Sequence, residues 1–292
     1  MNQICVCTLI FNEDEYISYR LESAKERFIS RLSEVSMYLY NNNIKNVVFG
    51  YSGGRDSTFV LLLLTLAKLK YFQKDLNIFP ITIEYKRTYK FDTFKDTDVY
   101  FIQDQKSKYL DFSNHNFVST RRKDLEALEH IIDFENSNIE EIQHQSNYQY
   151  MYHLLFTIAQ AKHAITIGTT NLDEISYIGW FGKNSDMCVD LQFIADFHKF
   201  EIDYILKSYD IDVADVPKGD LYSGLSDEEV FNTSYADLAY YSYCKCKDLP
   251  VNLNSTLENL HTKNHHKYMG QTFNPYFIKD DDYYFIFNEL NM

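Results

Sequence analysis

Apolar residues repeat at helical spacing in some stretches of the chain and bunch into short continuous runs in others. In residues 17–40, Leu21, Ala24, Phe28, Leu32 and Val35 mark one face of an amphipathic helix. After a turn at 41–45, Val47, Val48 and Phe49 are β-branched or aromatic and predict a buried strand. Residues 59–67 form a long Leu-rich run without Gly or Pro, which predicts a helix. Ile81 and Ile83 share one face of a second strand at 78–84, residues 99–103 supply a third, and 164–168 a fourth after a helix at 148–162. The stretch 104–147 is polar, with Arg121, Arg122 and Lys123 near its middle, and predicts only a helix over about 123–133. Residues 1–16 carry the least pattern, and neither repeats nor low-complexity tracts occur. Strands alternating with helices predict an α/β fold, a mostly parallel sheet with helices on both faces, in one domain over 1–292. Ligands of such sheets sit at the carboxyl ends of the strands, which places the turns at Ser52 and Gly168 on one edge.

The composition adds exclusions. The chain has 292 residues, 45% hydrophobic and 16% aromatic, as a globular protein with a full core should. Its formal net charge of -14 disfavours binding to nucleic-acid backbone. The start has no basic cluster, Asn12 to Glu15 end its apolar run, and no run approaches the roughly 20 residues that span a bilayer. The expectation is a soluble cytoplasmic protein without membrane or nucleic-acid partners. Cys5, Cys7, Cys188, Cys244 and Cys246 are odd in number and show Cys-x-Cys spacing, so they do not read as a disulfide framework. Two Cys-x-Cys pairs could meet around zinc, but free thiols in a reduced compartment are the simpler reading.

The turn at 52–57, Ser-Gly-Gly-Arg-Asp-Ser, carries the candidate chemistry. Gly53 and Gly54 let backbone approach a ligand with no Cβ in the way. The following helix aims its free N–H groups and positive dipole end at the turn, where a phosphate fits. No lysine ends this turn, and Asp56 sits where the phosphates would lie. A carboxylate beside phosphate is repulsive unless a cation lies between them, so the charges call for Mg²⁺ held by Asp56. The alternative is an ordinary glycine turn before a core helix.

The string SGGRDS resembles the SGGxDS signature of the PP-loop ATP pyrophosphatases, which cut ATP between its α- and β-phosphates. A second stretch narrows the resemblance: Gly168-Thr169-Thr170-Asn171-Leu172-Asp173-Glu174, then Gly179-Trp180-Phe181-Gly182-Lys183, Asp186, Asp190-Leu191 and Lys199. Order and spacing are similar to the GTxNxxE, G-[YF]-F-T-K-Y-G-D and D-L-x-P-[IL] blocks of the NAD synthetase family, and His266-Lys267 to a later His-Lys pair. The resemblance covers about residues 28–275, with 17–275 taken as the family-like region and 1–16 as an extension. It implies the adenine nucleotide alpha hydrolase-like, PP-loop ATPase fold. It implies a ligase that adenylates the carboxylate of deamido-NAD with ATP and Mg²⁺ and amidates it with ammonia.

Roles implied by the resemblance follow residue by residue. Ser52, Gly53, Gly54, Ser57 and Thr58 would cradle the β- and γ-phosphates, with Thr169 near the nucleotide. Asp56 and Glu174 would hold Mg²⁺, and Lys199 would reach the ATP phosphates. Lys183, Asp186, Asp190, His266 and Lys267 would face the dinucleotide. Bland alternatives stand beside several of these: a solvated helix carboxylate for Glu174, a surface lysine for Lys199, a plain turn aspartate for Asp186. Departures fall on the acceptor side. Where the family carries Arg-x-Arg, this chain has Met151 and His153, and where it carries Gly-Gly after the loop aspartate, Met187 and Cys188. A related ligase acting on another carboxylate therefore remains the alternative, ahead of a PP-loop enzyme acting on RNA. No segment has room for a glutaminase domain, which implies free ammonia or a separate supplying subunit. The family's small members imply a homodimer.

Overall fold

The structure is a computed structural model and describes residues 11–72, 75–86, 109–121, 139–182, 184–213 and 227–267. Helix α1, Glu13–Asn41, starts before the expected 17 because Asn12 and Glu15 close a capping box. The Asn12 amide donates to the Glu15 carboxylate at 2.9 Å, and the Glu15 amide to the Asn12 side chain at 3.0 Å. Strand β1 (Asn46–Gly50) leads to α2 (Arg55–Tyr71), then β2 (Asn77–Lys86) and β3 (Asn116–Arg121). Helix α3 (Ile139–Lys162) precedes β4 (Ile165–Gly168), the one-turn helix α4 (Leu172–Ile175) and β5 (Leu191–Gln192). The remainder is helical: α5 (Lys199–Ser208), α6 (Asp227–Phe231), α7 (Tyr235–Cys246) and α8 (Ser255–Asn264).

The five strands form one sheet in the order β3-β2-β1-β4-β5, and every pairing is parallel. Adjacent residues of β1 face opposite ways. Val47 and Phe49 join the main core with Phe28, Val35 and Ile202 from α1 and α5, while Val48 packs with Ile81, Tyr152 and Leu155 beneath α3. Helices thus cover both faces, as expected. On the α1 and α5 face, Phe59 to Leu64 of α2 are fully buried without interruption, so this helix is apolar all round rather than on one stripe. Each such side chain contributes roughly 1.5–3 kcal/mol by leaving water.

Two expectations are corrected by the structure. A strand, β3, lies inside the polar stretch read only as helix and loop, and α3 begins well before residue 148. The expected strand at 99–103 and helix at 123–133 lie outside the described residues. Among the described residues, no helix is long and apolar enough to cross a membrane.

The strand order fixes the site. From β1 the chain proceeds to β2 on one side, and β4 later pairs on the other, so the order reverses at β1. A reversal leaves a crevice beyond the carboxyl ends of β1 and β4. The Ser52 turn and the 169–171 segment open there.

Candidate active site

Gly53 lies at φ 78, a left-handed conformation that residues with a Cβ adopt only with strain. This bend helps bring the chain from β1 into α2 within the four residues 51–54. Gly54 caps α2 without any side-chain hydrogen bond, so no side chain of the cap competes for an anion at the helix start. The turn is braced by serines. Ser52 Oγ lies 3.2 Å from Ser57 Oγ and accepts from the Gly54 amide at 3.2 Å, and Ser57 Oγ donates to the Gly54 carbonyl at 3.1 Å. Thr58 Oγ1 lies 3.4 Å from the Tyr51 hydroxyl, beneath the turn and fully buried. Ser52 itself is exposed.

Asp56 projects from the first turn of α2 and meets the second stretch. One carboxylate oxygen pairs with Lys199 Nζ. The other accepts from the Asn171 side-chain amide at 3.2 Å. Asn171, in turn, caps α4 in a reciprocal box: its backbone amide donates to the Glu174 carboxylate at 3.1 Å, and its side-chain oxygen accepts from the Glu174 amide at 3.2 Å. Asp56 and Glu174 are thereby both hydrogen-bonded to Asn171, and Lys199 adds the cation. Asp56 and Lys199 each keep a small solvent-facing fraction, 16% and 10% of their side chains, so the pair is reachable from the crevice.

Magnesium takes oxygen ligands, often one or two carboxylates plus substrate phosphates. Asp56 and Glu174 are carboxylates, the hard oxygen donors that such an ion takes, and each has about four lone-pair sites. Their chemistry therefore fits that ion. No cluster of three His, Cys, Asp or Glu able to hold a metal occurs among the described residues. Of the cysteines, Cys188 is exposed, Cys244 buried and Cys246 half-buried, and all three are free thiols.

The acceptor-side residues form a second group. The Gly182 amide donates to Asp186 at 2.9 Å. Burial lifts the Asp186 carboxyl above the ordinary range, against the Gly182 and Tyr152 hydrogen bonds and the Lys267 charge, which pull it down. Burial and the neighbouring Asp186 likewise push the Tyr152 hydroxyl well up. Lys267 donates to the Gly179 carbonyl at 3.4 Å and lies 5.9 Å from the centre of the Phe181 ring. Asp186 and Lys267 thus converge on the 179–190 loop. Asp190 is engaged elsewhere: its carboxylate accepts from both the amide and the hydroxyl of Thr166, each at 2.7 Å. Thr169 is half-buried beyond β4, and His266 lies on the short turn His265–Lys267. Lys183 lies outside the described residues.

Sequence reasoning passed over Asn171 and Tyr152. Asn171 was signalled by Glu174 three residues on, a capping-box spacing. Tyr152 carried no signal, since a tyrosine on a core helix reads as packing.

Comparison with known proteins gives the family. A family model for NAD synthase matches residues 29–269. The NH(3)-dependent NAD(+) synthetase of Mycoplasmopsis pulmonis is 27% identical over 240 residues, 80% of this chain and 84% of that one. That of Mesoplasma florum is 26% identical over 262 residues, 88% and 94% of the two chains. Among solved structures, NMN synthetase from Francisella tularensis superposes with a TM-score of 0.61 at 19% identity, covering 86% of this chain and 99% of that one, which shows the fold.

Proposed function

Since the chain belongs to the NAD synthase family, we propose that it is an ATP-dependent ligase that adenylates the carboxylate of deamido-NAD and amidates it with ammonia. A carboxylate is a poor electrophile because its oxygen leaves badly. Attack of that oxygen on the α-phosphorus of ATP expels pyrophosphate and leaves the acid capped by AMP. Ammonia then attacks the acyl carbon, and AMP departs with the original carboxylate oxygen.

The chain's residues supply what this needs. The 52–58 turn and the start of α2 hold the β- and γ-phosphates. Lys199 and Asp56 neutralise one another in the structure, so Lys199 is available to phosphate once Asp56 takes a different cation. Asp56 and Glu174 are the residues that would hold Mg²⁺, which when bound offsets the charge of the phosphate oxygens. Asp186 and Lys267, with Lys183, Asp190 and His266, are assigned to the dinucleotide side. The observation that carries the reading is Asn171, which gathers Asp56 and Glu174 at the carboxyl end of the β1–β4 crevice.

A second reading, a different acid, is favoured by Met151, His153, Met187 and Cys188 at the acceptor-side departures. Incubation with ATP, Mg²⁺, ammonium and deamido-NAD separates the two: AMP and NAD in equal amounts support the first, and AMP formed only with another acid supports the second. A second copy of the chain is the proposed partner. Ile29, Met37 and Tyr40 stand exposed on one outer face of α1 and offer an apolar surface. Light scattering at working concentration would report twice the chain mass, and a monomer would remove the dimer from the proposal. The nitrogen comes from free ammonia or a separate subunit.

A further inference from the structure

Beneath Lys199 lies a second polar chain that no motif assigns. Asp173, next to Glu174 on α4, is fully buried. One of its oxygens accepts from the Lys199 backbone amide at 2.7 Å, and the other lies 2.6 Å from His198 Nδ1. His198, also fully buried, places Nε2 2.9 Å from the Tyr16 hydroxyl on α1. The imidazole stacks on Phe200 at 5.3 Å, and Tyr16 on Tyr243 at 4.4 Å, so both rings are fixed. The His198 amide donates to Glu201 at 2.8 Å, which holds the start of α5 from its own side.

A carboxylate only accepts, so His198 Nδ1 carries the proton that faces Asp173, and a neutral ring then accepts the Tyr16 hydroxyl proton at Nε2. Every polar atom of this chain is matched. A buried carboxylate without such partners would be strongly unfavourable. The chain also joins two pieces of the site: Asp173 stands on the helix that presents Glu174, and it grips the backbone of Lys199. Lys199 pairs with Asp56 directly, and Glu174 is linked to it through Asn171.

We propose that Asp173 and His198, backed by Tyr16, are positioning residues that hold the start of α5 so that Lys199 reaches the ATP phosphates. The inference rests on the phosphate role given to Lys199 above. A displacement of about 1 Å at such a group lowers turnover roughly 100-fold.

The test compares H198A, H198N and H198Q, with D173N, Y16F and K199A alongside, by pyrophosphate release from ATP with deamido-NAD and ammonium. An asparagine amide reaches the place of Nδ1 and keeps the bond to Asp173. A glutamine amide reaches the place of Nε2 and keeps only Tyr16. Positioning predicts that H198A, H198Q and D173N lose roughly 10- to 100-fold in kcat, with KM for ATP within about 3-fold of wild type. It predicts that H198N recovers at least about ten-fold over H198A, and that Y16F loses least. A merely structural role predicts lower melting temperatures with unchanged kcat per folded molecule, and would overturn the inference. Equal kcat in H198N and H198Q would also overturn it, and that pair decides should H198A or D173N not fold. Normal turnover of K199A removes the site reading itself and this inference with it. A slow K199A beside normal H198Q and D173N removes this inference alone.

Discussion

Asp56 is the residue on which the most chemistry converges, with Lys199 on one oxygen and Asn171 on the other. Asp56→Asn keeps the shape and removes the charge, so α2 should stay folded while pyrophosphate release falls at least about 100-fold, the scale typical of lost preorganised electrostatics. Near-normal release would remove the metal role from Asp56. Gly53 tests the turn rather than the charge. Alanine at φ 78 costs about 1–2 kcal/mol in a left-handed conformation, which calorimetry should report as a melting temperature lower by a few degrees. An unchanged melting temperature would mean that the turn relaxes freely. The grouping of Asp56, Glu174 and Lys199 was legible in the sequence because each sits in a short string that carries the family resemblance. Asp173 and His198 stood in the same strings and were not legible as a pair, since their contact exists only once α4 and α5 pack. Tyr16, from a stretch with little pattern, gave no signal.

At the level of elements, α1 is held to the start of α5 by charge as much as by apolar packing. Arg20 makes two hydrogen bonds to Glu201, at 3.0 and 2.8 Å, with both side chains buried, and Arg27 reaches the same carboxylate. Arg31 pairs with Asp196 in the same interface. Breaking one arm of a buried pair leaves charge without compensation. Arg20→Met should therefore lower stability by up to roughly 3 kcal/mol in chemical denaturation, because Glu201 loses two hydrogen bonds and keeps those of Arg27 and the His198 amide. A single variant as stable as wild type would show that Arg27 alone suffices. The helical period of α1 identified its apolar face, but three arginines on that same buried side read as surface until their partners appear. The strands β1 and β4 were legible because they are central and apolar. β3 was hidden because it is an edge strand of mixed character: Phe117 is exposed while Val118 packs beneath α3.

For the molecule as a whole, the second cluster of packing ties α7 and α8 to the segment after Glu174. Glu258 accepts from the Tyr177 hydroxyl at 2.9 Å, from the Tyr241 hydroxyl, and from Lys245 at 2.9 Å. Burial alone would raise its carboxyl, but the bonds from Tyr241, Lys245 and Tyr177 outweigh burial and hold it below its usual value of 4.5. A depressed carboxylate contributes stability above its ordinary value and loses it as pH falls through the lowered one. The melting temperature of wild type minus that of Glu258→Gln should thus be positive near neutrality and shrink below about pH 4.5. A difference independent of pH would exclude the charge as its source. That cluster braces the loop carrying Tyr177 and Gly179, where Lys267 also donates to the Gly179 carbonyl. In the proposed reaction an acid brought beside the Gly53–Gly54 turn is capped by AMP before nitrogen arrives. The most direct measurement uses deamido-NAD labelled with heavy oxygen in its carboxylate, turned over with ATP, Mg²⁺ and ammonium, followed by mass spectrometry of the products. Adenylation of the acid puts one labelled oxygen in AMP and none in pyrophosphate; label in pyrophosphate or phosphate, or NAD formed with unlabelled AMP, would rule adenylation out.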